Sequence, residues 1–126
     1  MPSKSGSRSK DREFARDEGE PVSEEMQLYD LRVTVDRIEG RSVCGMAPGD
    51  CFELTNSNEI RLPEGKHFCL YALQAVLPLL PAKQRELADS DWMAQDAEVA
   101  CPDPDERLIM RVERTRKVTL RTDDLT

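Results

Sequence analysis

The chain has 126 residues, 34% of them charged and 38% hydrophobic, and a formal net charge of −7. That length suits one domain. An acidic surface repels phosphate backbones, which argues against a nucleic-acid partner, and no apolar run reaches the roughly 18 residues of a membrane span.

Residues 1–25 hold five basic and seven acidic side chains, and the remaining 101 hold thirteen and eighteen. Almost nothing in residues 1–25 could fill a core, and Ser3, Ser5, Ser7 and Ser9 lie in a small, polar run. Such composition does not offset the entropy of ordering, so the expectation is a disordered polar tail. A single folded domain is expected over residues 26–122, with a C-terminal end at 123–126. Lys and Arg near the N-terminus have no apolar run behind them, the pattern of a chain kept in the cytoplasm.

Residues 28–39 alternate with period two: Leu31, Val33 and Val35 apolar, Arg32, Thr34 and Asp36 polar. Gly40 ends this strand, and residues 41–50 form a loop with Pro48-Gly49 as its turn. Alternation returns at residues 51–55, where Phe52 and Leu54 share one face. Asn56-Ser57-Asn58 reads as a turn, residues 59–62 as a short edge strand, and Pro63-Glu64-Gly65 as its end. From Phe68 to Leu80 the chain is apolar nearly all round, which predicts a buried helix. Pro78 and Pro81 break it, and a short exposed helix is expected over residues 82–88. Trp92 and Met93 read as a helical turn packed on the sheet, and residues 99–105 as a loop whose prolines forbid a helix. Leu108, Met110 and Val112 alternate with Ile109, Arg111 and Glu113 in a last long strand, and residues 118–120 either extend it or form a final edge strand. Strands on both sides of a helical block define an α+β fold. Its sheet is expected to be antiparallel or mixed, with a buried helix and a second short helix on one face.

Four cysteines carry most of the chemistry: Cys44, Cys51, Cys69 and Cys101. In a cytosolic chain they stay reduced and serve as packing groups, metal ligands or reactive thiols. Cys44, Cys69 and Cys101 fall in loops or at a helix start, and His67 is the only histidine. Three thiolates and an imidazole from separate loops would suit a tetrahedral ligand set if the loops converge, with zinc or iron as candidate metals. Two other readings remain: Cys69 as a nucleophilic or redox thiolate with His67 as base, and thiols that only pack. Asp89, Asp91 and Asp96 around Trp92, and Asp103 and Asp105 after Cys101, read first as caps and turns, and Trp92 as a core anchor. No phosphate-cradling or nucleophile-elbow motif is present.

The landmarks Val43-Cys44-Gly45, Gly49-Asp50-Cys51-Phe52-Glu53-Leu54, Pro63-Glu64-Gly65, Phe68-Cys69, Asp91-Trp92-Met93 and Cys101-Pro102-Asp103 are similar to those of a family of small bacterial and archaeal proteins with no assigned activity. The resemblance spans roughly residues 28–113. It implies recurring cysteines at Cys44, Cys69 and Cys101, while Cys51 is private to this chain. Gly45 follows the first cysteine where that family often has Pro, and Leu70 and Tyr71 follow the second where it often has Trp. The combined expectation is a non-enzymatic binding or accessory domain with a cysteine-lined site and a protein or small-molecule partner.

Overall fold

Alternation sets the strands, and their apolar faces gather in one layer. The computed structural model describes residues 24–95 and 97–125, so the expected tail and Asp96 lie outside the described residues. Five strands, β1 (Glu25–Ile38), β2 (Cys51–Thr55), β3 (Glu59–Arg61), β4 (Ala97–Ala100) and β5 (Leu108–Arg121), make an antiparallel sheet in the order β3-β2-β1-β5-β4. The fold is α+β, with all of the helical structure between β3 and β4.

The two 14-residue strands β1 and β5 form the spine. Leu31, Val33, Val35, Leu108, Met110 and Val112 are buried on one face, joined by Phe52 and Leu54 of β2. Two register shifts break the pairing. At the second, Val35 faces Met110 and Arg37 faces Ile109, so Asp36 is left unopposed. This bulge puts Asp36 and Arg37 outward in succession and lets both Val35 and Ile38 reach the core. The outward pair anchors a charged lattice: Arg37 bonds Asp36, Glu39 and Glu98, and Arg111 bonds Asp36.

The helical run begins at Leu70, two residues later than its first apolar residue. It comprises α1 (Leu70–Val76), a 3-10 turn at Leu77–Leu79 and α2 (Leu80–Lys83). Pro78 and Pro81 each fall in the first turn of a new segment, where a missing N–H is harmless. The run buries one face only. Ala72, Val76 and Leu80 meet the core, whereas Leu70 is 67% and Tyr71 63% exposed. Phe68 meets Phe52 edge-on, with ring centroids 4.8 Å apart.

The short exposed helix expected at 82–88 is a single turn ending at Lys83, and Lys83 is buried. Its ammonium donates to the carbonyls of Met93 (3.0 Å) and Gln95. Arg114 clamps the same corner, donating to the carbonyls of Lys83, Arg85 and Ala94, with its guanidinium 4.6 Å over the Tyr29 ring. Trp92 lies on a 3-10 turn, as the sequence suggests, with Asp91 capping it through the Met93 amide. It is 64% exposed, however, and is no core anchor. Residues 97–100 pair with β5 as an edge strand, although residues 99 and 100 read from sequence as the start of a loop. Val99 and Ala100 alternate too briefly with their neighbours to announce it.

Met110→Ala should cost ~2–5 kcal/mol of stability, the range for emptying a filled core site. Trp92→Ala should stay within ~0.5 kcal/mol. Urea denaturation of the two variants checks the contrast.

Candidate functional site: a thiol and carboxylate cluster

Three loops meet where β1 ends and β5 begins. Beyond Ile38 the backbone keeps pairing with the β4–β5 loop through Glu39 N–H to Arg107 O (3.0 Å), Gly40 N–H to Glu106 O (2.8 Å) and Arg41 N–H to Asp105 O (3.1 Å). A Cβ on Gly40 would sit 1.9 Å from the Asp105 carbonyl oxygen, so only glycine permits this approach. The chain then turns back towards β2. Ser42 Oγ donates to Met46 O, and Met46 drops into the core from inside the loop. Gly45 has φ +75°, a left-handed turn that other residues adopt only under strain.

The β4–β5 loop is braced from within. Cys101 N–H bonds Leu108 O (2.9 Å), Arg107 N–H bonds Asp103 O (3.1 Å), and Asp103 Oδ1 accepts from the Asp105 amide (2.9 Å). Asp103 and Asp105 are therefore turn residues. Asp89 stays exposed, and Asp91 is the cap already described. The third segment is the approach to α1, where Cys69 is the residue before the first helical turn and its carbonyl accepts from Leu73 N–H.

These segments pack Cys44, Cys69 and Cys101 against the same core, near enough for each to act electrostatically on another. Beside Cys44 lies Glu106, which is 1% exposed. Glu106 Oε2 accepts from Cys44 Sγ at 3.1 Å and from the Val43 amide at 3.1 Å. The Cys44 thiol is also a hydrogen-bond neighbour of Cys69, and Cys101 is close enough to feel both Cys69 and Glu106. Among the described residues no lysine, arginine or histidine pairs with Glu106. Two backbone amides point at sulfur: Met46 N–H at Cys44 and Asp103 N–H at Cys101. Each lies two residues after its cysteine, and the first is turned there by the positive φ of Gly45.

Burial pushes the Cys44 thiol up to about 12, with the hydrogen bond to Glu106 and the neighbouring Cys69 adding to the shift and the Met46 amide opposing it. Burial also raises Cys101, against the pull of the Asp103 amide. Both thiols are therefore protonated at neutral pH and weakly nucleophilic.

His67 stands at the rim. It is exposed, and its Nε2 is 3.1 Å from the Cys44 carbonyl oxygen, which occupies the nitrogen on that side. Among the described residues it makes no hydrogen bond to Cys69. Cys51 pairs with Thr34 on the other side of the sheet and lines an open groove of about 630 Å³ with Arg32, Glu53 and Arg61, apart from the cluster.

Sequence reading missed Glu106 because Asp103 and Asp105 drew attention to the same loop. The signal was present: Glu106 continues, one step upstream, the inward set Leu108, Met110 and Val112. As the side chains stand, no three His, Cys, Asp or Glu side chains among the described residues are gathered tightly enough to hold a metal ion. No helix among the described residues is long and apolar enough to cross a membrane. No protein-family model, curated protein or solved structure matches the chain.

Two outcomes follow from this geometry. Gly40→Ala should cost at least ~2 kcal/mol and loosen the β4–β5 loop, seen as a lower melting temperature and faster amide exchange at Glu106 and Arg107. Cys44 holds its proton more tightly in the folded chain than in the unfolded one. Stability is therefore intact below the ordinary thiol value near 8.5 and falls as pH rises from there towards about 12. Urea titrations across that window should show the fall in the wild type and a smaller one in Cys44→Ala.

Proposed function

We propose that this chain is a small, non-enzymatic binding or accessory domain whose ligand site is the cluster of Cys44, Cys69, Cys101 and Glu106. One observation carries the reading: cysteines from three segments far apart in sequence meet beside a buried carboxylate that has no cationic partner among the described residues. Burying a carboxylate against only a thiol and an amide is costly. A fold that needed only apolar filling would be served better by three alanines and a leucine. The landmarks shared with the small bacterial and archaeal family fit this reading, because its three recurring cysteines are the three that meet. Reduced thiols also fit a cytoplasmic setting.

Catalysis by Cys69 has less support. The only histidine spends Nε2 on a backbone carbonyl, and no base reaches that thiol among the described residues. A second reading, a protein-interaction module, is favoured by the exposed outer face of the helical run, where Leu70, Tyr71 and Leu77 lie. It requires no ligand at the cysteines.

Native mass spectrometry of the full chain, purified without tag or chelator, separates the two. A ligand-binding cluster predicts a stoichiometric non-covalent adduct on the wild type and on Cys51→Ser, lost in Cys44→Ser and Cys101→Ser. The bare mass throughout, with the serine variants folded by circular dichroism, would leave the interaction module as the account.

A further inference from the structure

We infer that Cys44 and Cys69 are a redox pair, which a small soluble disulfide of the glutathione class converts to a Cys44–Cys69 disulfide with Glu106 as proton acceptor. The inference goes beyond the binding reading and does not depend on it, because the chemistry needs two thiols and one carboxylate and no bound ligand.

His67 holds the two segments against each other. Its Nε2 lies 3.1 Å from the carbonyl oxygen of Cys44 itself, and its ring stands 3.6 Å from where a Cβ on Gly45 would be. Cys69 follows two residues later, half-buried on the core that Cys44 also packs against. The two thiols are hydrogen-bond neighbours. Neither lies inside a strand or a helix: Cys44 is in the β1–β2 loop, and Cys69 is the residue before α1, with extended backbone. Closing a sulfur–sulfur bond of ~2.0 Å therefore asks for side-chain rotation and a shift of the loop, and breaks no ladder or helical turn. Cys101 is only 6% exposed and Cys51 lies on the other side of the sheet, so neither competes for a donor arriving from solvent at this pair.

Glu106 supplies what two thiols alone lack. Its Oε2 accepts from Cys44 Sγ at 3.1 Å, and among the described residues no cationic side chain occupies the carboxylate. A thiol must lose its proton to attack sulfur, and a carboxylate in contact with it removes that proton as the new bond forms. Burial and Glu106 push the Cys44 thiol up to about 12, so Cys44 does not react first. Cys69, its proton given to solvent, attacks one sulfur of the donor. The donor S–S bond breaks, a mixed disulfide forms on Cys69, and one donor thiolate leaves. Cys44 then attacks Cys69 Sγ as its own proton passes to Glu106. The Cys44–Cys69 bond forms, the mixed disulfide breaks, and the second donor thiolate leaves and takes up a proton. Two protein thiols are oxidised and one donor disulfide is reduced to two thiols. Oxidation also removes the thiol that donates to Glu106 and leaves it the Val43 amide. Taking a donor from a buried carboxylate is costly, so the bond reverts to the dithiol when free thiol is in excess.

Incubation of the full-length, reduced protein with oxidised glutathione, followed by acid quench, alkylation and peptide mass mapping, tests this. The expected end product is one intramolecular Cys44–Cys69 disulfide that carries no glutathione and is reversed by dithiothreitol. Cys44→Ser should stop at a stable glutathione adduct on Cys69, whereas Cys51→Ser behaves as the wild type. Glu106→Gln separates a proton acceptor from a structural prop: the adduct on Cys69 should form at the wild-type rate and persist at least ~10-fold longer. A wild type that stays reduced, ends as glutathione adducts, or forms its disulfide through Cys51 or Cys101 would overturn the pair, and this readout needs no variant to fold. Equal adduct lifetimes in Glu106→Gln and the wild type would overturn Glu106 as the proton acceptor.

Discussion

Glu106 is the residue around which this end of the molecule is organised. Its carboxylate sits inside the protein with a thiol and an amide as donors, and both come from the β1–β2 loop. Its own backbone carbonyl holds Gly40, so side chain and main chain of one residue pin the same loop from two directions. That double attachment needs the two backbones to touch, and the contact exists only because residue 40 has no Cβ. The placement of Cys44 against Glu106 follows from it.

The sheet supplies the rigid part. β1 and β5 pair over almost their whole lengths and deliver two loops side by side, one leaving β1 and one entering β5. The bulge at Asp36 keeps both Val35 and Ile38 on the core side at the point where the strand hands over to the loop. The helical run lies across the same face, and its leading residue Cys69 reaches the cluster from above the core. The opposite face carries the Arg37 lattice and the Arg32–Glu53 pair, exposed ion pairs that contribute little to stability but keep that surface polar.

Much of this was legible in the sequence where local pattern and environment agree. Alternation located β1, β2 and β5 and chose their buried faces, because a sheet with one wet side writes its burial into every second residue. Turn chemistry located Pro48-Gly49 and the Asn56-Ser57 turn, where both residues have positive φ and Asn56 is of a type that enters the left-handed region readily. The failures share a cause, which is tertiary packing that local periodicity does not encode. The helix looked buried all round because Leu70, Tyr71 and Leu77 are apolar, yet nothing among the described residues covers them fully. Met46 looked like a loop residue because its loop folds inward, and Lys83 looked exposed because its carbonyl partners come from residues 93 and 95. The three loop cysteines could be nominated from sequence. Their company could not, since Glu106 is defined as a partner only by the pairing of residues 39–41 with 105–107.

The organisation of this end of the molecule depends on the hydrogen bond from the Cys44 thiol to the buried Glu106 carboxylate. A double-mutant cycle of Cys44→Ala and Glu106→Gln, read by urea denaturation, tests it most directly. The expected result is a coupling of at least ~0.5 kcal/mol between the two sites, and effects that add to within ~0.3 kcal/mol would contradict it.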